Sequence, residues 1–287
     1  MLSTVFILLP VHNRYEMTTR FLISLKNQTY QNFHLLLIDD GSTDGTAEIV
    51  RERMQKVTVI RGNGNWWWAG CLQVGYNWLK VQELTANDIV LIINDDTEFD
   101  PTFLENAIEL LKNTYKTLLL AECYDRKDGK LIDGGIKLDW SLLKFEKPNN
   151  VDEINCLSTR GLFLKAKYFI QIGGFYPKLL PHYLSDYEFT IRAKRKGYKL
   201  LVDSKLKLNL DLNATGFHSF AKRPSLQLIR KYFSKKSAAS PISWTVFIIL
   251  ACPWKWKIIN IFRIWFVFIF KSIKAIFLNQ FLTVTNR

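Results

Sequence analysis

An α/β fold with a mostly parallel central sheet flanked by helices, followed by a basic helical extension, is predicted by three features of the sequence. Short β-branched and apolar runs alternate with amphipathic stretches through the first two-thirds of the chain. Several of those runs stop abruptly at carboxylates and other polar residues, and no acidic residue follows Asp211. With 287 residues and 48% hydrophobic content, the chain can bury one large core plus an appendage. The formal charge of +13 is nearly accounted for by the twelve Lys and Arg residues beyond Asp211. Residues 1–220 therefore read as one near-neutral domain and residues 221–287 as a basic, aromatic tail with its own task. The cysteines at 71, 123, 156 and 252 form no C-x-x-C pair. They point to neither a zinc site nor a disulfide framework, and a reducing cytoplasmic setting fits them. Met1 to Thr4 run into a strand without a basic region or a small-residue cleavage site, so no signal peptide is expected.

Val5 to Leu9 form a buried strand that ends at Pro10-Val11-His12-Asn13-Arg14, and a helical stripe of Met17, Phe21, Leu22 and Leu25 follows. A second strand, His34 to Ile38, runs into Asp39-Asp40-Gly41-Ser42-Thr43-Asp44-Gly45-Thr46. Strand, helix, strand with short links is a βαβ unit, hence the parallel sheet. In that second loop Ser42 or Thr43 could cap the next helix. Asp39 and Asp40, at a strand's end, could accept hydrogen bonds from a ribose or a pyrimidine N–H. A third strand, Val57 to Ile60, leads through Gly62-Asn63-Gly64-Asn65 to three successive tryptophans, Trp66, Trp67 and Trp68. They either wedge the next helix onto the sheet or line a pocket and stack on a base or sugar. The glycines match neither G-x-G-x-x-G nor G-K-[ST], which disfavours a nicotinamide oxidoreductase.

The fourth strand, Ile89 to Ile93, is apolar on both faces and ends at Asn94-Asp95-Asp96-Thr97. In an open α/β sheet, ligands sit beyond the carboxyl ends of the strands, so this cluster faces a crevice. Neighbouring side chains of an extended chain diverge, so Asn94 and Asp96 share a face, and Asp95 joins them only if the backbone turns. Asp100 as N-cap and Pro101 as first helical residue are expected to start the helix carrying Phe103, Leu104, Ala107, Ile108 and Leu111. Leu118 to Ala121 is a further strand, and a hairpin follows at Asp128-Gly129. Arg160, ahead of apolar Leu162-Phe163-Leu164, could reach a diphosphate or cover the sheet edge. On the helical stretch Leu184 to Ala193, Asp186 and Glu188 lie two positions apart and so point about 200° away from each other. One of them can face a substrate, and Glu188 is the natural partner of Arg192 at i+4.

Together these motifs resemble those of the inverting nucleotide-sugar glycosyltransferases of family 2, with the GT-A fold. The resemblance spans roughly residues 3–220 and rests on the order of Pro10-Val11-His12-Asn13, Asp39 to Thr46, Asn94-Asp95-Asp96-Thr97, Gly173-Gly174-Phe175 and Ser185-Asp186-Tyr187-Glu188-Phe189 with Arg192. It implies a catalytic base at Asp186 and a divalent metal, Mg²⁺ or Mn²⁺, held by Asp96. His218, in a loop, is either a further metal ligand or a surface residue. Donor contacts are implied at Pro10, His12, Asn13, Arg14, Asp39, Asp40, Ser42, Asn65, Trp68, Asn94, Asp95 and Arg160. Three positions depart from the family pattern: Asn94 stands at the first acid of a D-x-D motif, Ser185 at the usual Glu, and Tyr176 at the usual Asp after Gly-Gly-Phe.

The chemistry agrees, because displacing a nucleoside diphosphate from an anomeric carbon needs compensation for the charge on the leaving phosphate and a base for the attacking hydroxyl. The expected activity is transfer of a sugar from a UDP- or dTDP-linked donor to a saccharide acceptor, lipid-linked, in cell-surface polysaccharide synthesis. The alternative is an inactive, membrane-bound scaffold of the same fold. In the tail, Ile242 to Trp254 and Ile264 to Phe270 are uncharged but shorter than the ~20 residues a bilayer span requires. Tryptophans at 244, 254, 256 and 265 beside lysines match segments lying in the headgroups of an anionic membrane, which would place the protein peripherally on the inner face. The tail could instead pack on the core or on a second copy, giving a homodimer. Nucleic acid is not an expected partner, since no recognition motif accompanies the basic patch.

Overall fold

The computed structural model describes residues 3–210, 232, 234 and 237–284, with side chains described as far as Lys274. In chain order the elements are β1 (Val5–Val11), α1 (Tyr15–Lys26), β2 (Phe33–Asp39), α2 (Thr46–Arg53), β3 (Val57–Arg61), α3 (Trp67–Lys80), β4 (Ile89–Ile92), β5 (Thr97–Glu98), α4 (Phe103–Lys112) and β6 (Thr117–Asp125). They continue with β7 (Leu131–Asp133), β8 (Lys137–Asp139), β9 (Lys144–Glu146), β10 (Leu162–Lys165), α5 (Ala166–Ile172), α6 (Ser185–Arg195), β11 (Lys199–Leu210), α7 (Pro241–Ala251) and α8 (Trp254–Val284).

The main sheet runs β3-β2-β1-β4-β10-β6-β11-β5, with β7 paired to β6, while β8 and β9 form a separate hairpin. β1 pairs in parallel with both β2 and β4, so Leu8 lies between Leu36 and Ile92. After β1 the chain moves outward to β2 and β3, then returns to the other side of β1 for β4. That reversal opens a crevice beyond the carboxyl ends of β1, β2 and β4, which is where the polar motifs fall.

Period-two alternation explains the two cores. Val5, Ile7, Leu9, Leu35, Leu37 and Leu91 meet α1, α2 and α4 on one face. On the other, Leu8, Leu36, Ile38, Val90 and Ile92 meet α3, α5 and α6. Each fully buried aliphatic side chain stabilises the fold by about 1.5–3 kcal/mol before entropy is counted. β10 is central, pairing antiparallel with β4 and β6 and burying Leu162, Phe163 and Leu164 completely. Arg160 therefore does not cover a sheet edge. It enters an interior strand from the ligand side.

The start of α4 differs from the sequence expectation. Thr102, not Asp100, occupies the N-cap position, and no side chain of its own caps the helix. The buried Gln28 does this from across the core. Its Oε1 accepts the Leu104 N–H at 3.0 Å, and its Nε2 donates to the Asp100 carbonyl at 2.8 Å. A local rule was displaced by a tertiary donor and acceptor that satisfy the helix end equally well.

The extension packs on the sheet domain. Phe247 and Ala251 of α7 share a buried cluster with Leu184 and Ile191 of the α6 region and with Leu138 and Cys156. Arg195, at the end of α6, donates to the Leu250 carbonyl at 2.8 Å and also to that of Ala251. The four cysteines are free and buried. No helix among the described residues is long and apolar enough to cross a membrane.

α3 sits close on the sheet because Gly75 has no side chain: an added Cβ would lie 2.9 Å from Leu8 Cδ2 and 2.9 Å from Ile38 Cδ1. Gly75→Ala is expected to destabilise the protein by about 1–3 kcal/mol. The measurement is a urea titration showing a lower midpoint at unchanged slope.

Candidate functional site

The loops after β1 and β2 interlock. The Asn13 N–H, in a left-handed residue (φ 52°), donates to Ser42 Oγ at 2.9 Å, and Asn13 Oδ1 accepts the Thr43 N–H at 2.8 Å. The His12 ring is 2.6 Å from the Asp40 carbonyl through Nδ1. Ser42 thus serves the first loop and does not cap α2. Gly45 is the N-cap, and Asp44 ahead of it takes the Thr46 N–H at 3.1 Å and the Tyr15 N–H at 2.9 Å. Pro10 is buried within β1 opposite Ile38.

Asp39 and Asp40, expected as donor contacts, are turned into the fold. Asp39 is fully buried; one oxygen accepts the Ser42 N–H at 2.8 Å and the other lies 3.5 Å from Arg61 Nε. Asp40 accepts the Gly64 N–H at 2.9 Å with one oxygen, and with the other the Trp66 and Trp67 N–H groups at 2.9 and 3.0 Å. It is the acid at the N-terminus of α3, held by the orphan amides of the helix start and favoured by the dipole. Gly62 makes this cage possible, since a Cβ there would stand 2.8 Å from Asp40 Oδ1. The tryptophans divide their tasks. Trp68 packs in the core and donates from Nε1 to Thr159 Oγ1 at 3.1 Å, tying α3 to the strand that follows Arg160. Trp66 and Trp67, with Asn65, Gln73, Pro177 and Pro181, line a groove of about 360 Å³. The open aromatic surface therefore belongs to the neighbours of Trp68.

Beyond β4 the backbone turns at Asp95 and Asp96, and Thr97 Oγ1 donates to the Asn94 carbonyl at 2.7 Å. The group both acids share is Arg14. Its Nε lies 3.2 and 3.3 Å from the Asp95 oxygens, and its Nη2 is 3.7 Å from Asp96 Oδ2. Thr18 completes the hold on Asp95 at 3.0 Å. Burial pushes the Asp95 carboxyl up and the Arg14 charge opposes that, and the contacts with Arg14 and Thr18 tie the end of β4 to α1. Asn94 Oδ1 and Asp96 Oδ1 are buried acceptors without a hydrogen-bond partner, and Arg160 Nε is a buried donor in the same condition. Buried polar atoms are rarely left so, and Asp39 Oδ2 shares that condition.

Asp186 lies in the first turn of α6, after Leu184 in the left-handed conformation (φ 68°). Its Oδ1 accepts the Tyr187 N–H at 3.0 Å. Confinement in a cleft pushes its pKa up to about 6, with the Asp133 charge adding to the rise and Arg160 opposing it. Glu188 turns inward as its spacing predicted, where Arg192 donates to it at 2.9 and 3.0 Å and also to the Ile172 and Gly174 carbonyls. Asp133, at the end of β7, was missed in the sequence. Its charge acts on Asp186 and, together with those of Asp96 and Arg160, on Cys123. Asp96, Asp133, Arg160 and Asp186 thus share one electrostatic neighbourhood, although they come from four separate segments. The signal for Asp133 was present as a strand-ending acid before Gly134-Gly135. His218 lies outside the described residues.

A family model described as glycosyl transferase family 2 matches residues 6–163. The undecaprenyl-phosphate 4-deoxy-4-formamido-L-arabinose transferase of Edwardsiella ictaluri is 25% identical over 118 residues, 39% of this chain and 34% of that relative. The chain thus spans about a third of the length of that curated relative. Two solved structures share the fold. Staphylococcus aureus TarS 1-349, in complex with UDP-GlcNAc, has a TM-score of 0.58 at 16% identity, covering 87% of this chain and 71% of that one. The mannosyltransferase PcManGT of Pyrobaculum calidifontis, with GDP-Man and Mn²⁺, has a TM-score of 0.56 at 17% identity, covering 80% and 60%. The curled, mostly parallel sheet with flanking helices is the GT-A architecture.

The raised Asp186 pKa has a stability consequence. Above the ordinary carboxylate range, near 3.8, the unfolded chain releases this proton, whereas the folded one retains it to about pH 6. Stability from this group is therefore full at low pH and falls as pH rises through 6. Asp186→Asn is expected to gain about 1–3 kcal/mol at pH 7. Thermal melts against pH should show that gain vanish below pH ~4.

Proposed function

The chain belongs to glycosyl transferase family 2, and on that premise we propose that it transfers a sugar, with inversion, from a UDP- or dTDP-sugar to a hydroxyl of a lipid-linked saccharide. The observation carrying this reading is a carboxylate raised to about pH 6 that shares charged neighbours, Asp133 and Arg160, with Asp96, together with unpartnered oxygen acceptors on Asn94 and Asp96. A carboxylate with that pKa is ionised at pH 7 yet basic enough to take a proton as it develops on an attacking hydroxyl. Asp186 would accept that proton while the acceptor oxygen bonds to the anomeric carbon, and the bond from that carbon to the diphosphate breaks on the opposite face. The nucleoside diphosphate leaves with the bonding pair.

Arg160, with an unpartnered buried N–H, would bind the diphosphate. Asn94 Oδ1 and Asp96 Oδ1 are hard oxygen donors without a hydrogen-bond partner and would hold a hard divalent cation, Mg²⁺ or Mn²⁺, although among the described residues no three His, Cys, Asp or Glu side chains gather as a metal site. Such an ion, when bound, offsets the charge on the leaving phosphate. His218 would be its additional ligand. His12, Asn13, Ser42 and Asn65 form the rim that would receive the nucleotide, with Asp39, Asp40, Asp95 and Trp68 holding that rim in place. The UDP-GlcNAc named with one solved structure supports a UDP donor, and the undecaprenyl phosphate in the relative's name supports a lipid partner. The inactive-scaffold reading draws on one contact, the Arg14 guanidinium near Asp96.

Titrating UDP and dTDP with and without Mn²⁺, followed by tryptophan fluorescence, separates the two readings. Saturable binding that tightens with Mn²⁺ in the wild type, and loses the Mn²⁺ dependence in Asp96→Ala, is the expected outcome; no binding at any metal level would sink the transferase. Asp186→Asn is expected to bind nucleotide normally and to lose about 10²–10⁴-fold in kcat. In the wild type kcat/KM should fall on the acid side with an apparent pKa near 6.

A further inference from the structure

We propose that the outward face of α8 is a seat for an anionic lipid surface, and that α7 and α6 transmit its orientation to the Asp186 cleft. The inference rests on the reading that the acceptor is lipid-linked, and it names how the enzyme would meet such a substrate. Ile258, Phe262, Phe266, Ile269, Phe270 and Ile273 are 62, 70, 71, 51, 62 and 47% exposed. On an ideal helix they fall within an arc of about 120°. A continuous apolar stripe of this size is unusual on a free surface and marks an interaction face.

The helix cannot roll to hide it. On the inward side Asn260 is fully buried and donates to the Trp140 carbonyl at 2.7 Å, while Arg263 donates to Asn260 Oδ1 at 2.8 Å. Trp265 Nε1 donates to Thr245 Oγ1 of α7 at 3.1 Å. Anchored in this way, α8 must present its phenylalanines outward.

Charge decides the occupant. Lys271 and Lys274 are exposed on the same turns as Phe270 and Ile273, and no acid follows Asp211 in the sequence. Two copies packed through α8 would bring cationic helices together with no acid between them, whereas lipid phosphates would neutralise that charge. An apolar face on a helix that carries Lys255, Lys257, Arg263, Lys271 and Lys274 and no acid suits a segment lying in the headgroup plane.

The link to the cleft is also physical. Phe145 lies 5.7 Å from Trp244 of α7 and 4.9 Å from Tyr187, the neighbour of Asp186. Arg195 closes the other end of α6 on the last carbonyls of α7. Seating α8 therefore fixes the cleft relative to the lipid plane.

The test is sedimentation of the full chain with vesicles of phosphatidylcholine alone or mixed with phosphatidylglycerol. The wild type should sediment with the anionic vesicles. Phe262→Ser combined with Phe266→Ser should weaken partitioning by about tenfold or more. Lys271→Glu with Lys274→Glu should abolish the preference for anionic vesicles, and all variants should keep the wild-type fluorescence melt. The proposal is overturned by a wild type that stays in the supernatant, by a double Ser variant that sediments unchanged, or by one that turns a dimer into a monomer without altering vesicle binding. Vesicle binding requires no nucleotide, so its failure would leave the transferase reading standing, and a failure of nucleotide binding would not by itself remove the seat.

Discussion

A carboxylate placed at the end of a buried strand must find donors whose positions the fold has already set, because burial without them disfavours its charge. This molecule supplies such donors to some of its strand-end acids and withholds them from others. Asp39 has the Ser42 amide and Arg61, Asp40 has three amides at the head of α3, and Asp95 has Arg14 and Thr18. Those three acids hold loops in position. Asp39 and Asp96 each keep an oxygen without a hydrogen-bond partner, and Asp186 accepts one neighbouring amide while its pKa rises. Asp39, Asp40 and Asp95 each accept a hydrogen bond from a residue beyond their nearest neighbour, whereas Asp186 bonds its neighbour's amide and Asp96 keeps the Arg14 contact at 3.7 Å.

Topology makes the division possible. With β4 returning beside β1, the loops after β1, β2 and β4 meet at one place, and Arg14 can reach from the first of them to the acids of the third. The antiparallel β10, inserted between β4 and β6, brings its leading segment to the same end of the sheet as those loops. That reversal carries Arg160 to the crevice, opposite the direction it would face in a uniformly parallel sheet. Asp133 arrives through the β6–β7 hairpin, and Asp186 through α6 lying across the second face.

α6 joins the two halves of the molecule's chemistry. Its inward side is held by the Glu188–Arg192 pair, its first turn carries Asp186, and its end is bonded to α7. A helix fixed at both ends holds a side chain in its first turn with little freedom, as a proton acceptor requires. The same rigidity makes the position of the extension matter to the cleft.

By itself the sequence determined the sheet, because apolar runs with both faces buried and amphipathic links between them leave few other arrangements. It also determined where polar groups would gather, since the strand ends of Ile89 to Ile93 and His34 to Ile38 are plain in the pattern. The inward turn of Glu188 toward Arg192 followed from helical spacing alone. What the tertiary structure decided was which partner each polar group would meet. Gln28 capping α4 from across the core, Asp40 closing on the Trp66 and Trp67 amides, and Arg14 taking Asp95 are contacts between residues 26 to 81 positions apart. Local periodicity records the face a residue takes, but hydrogen-bond partners depend on the packing of segments that only the folded chain brings together.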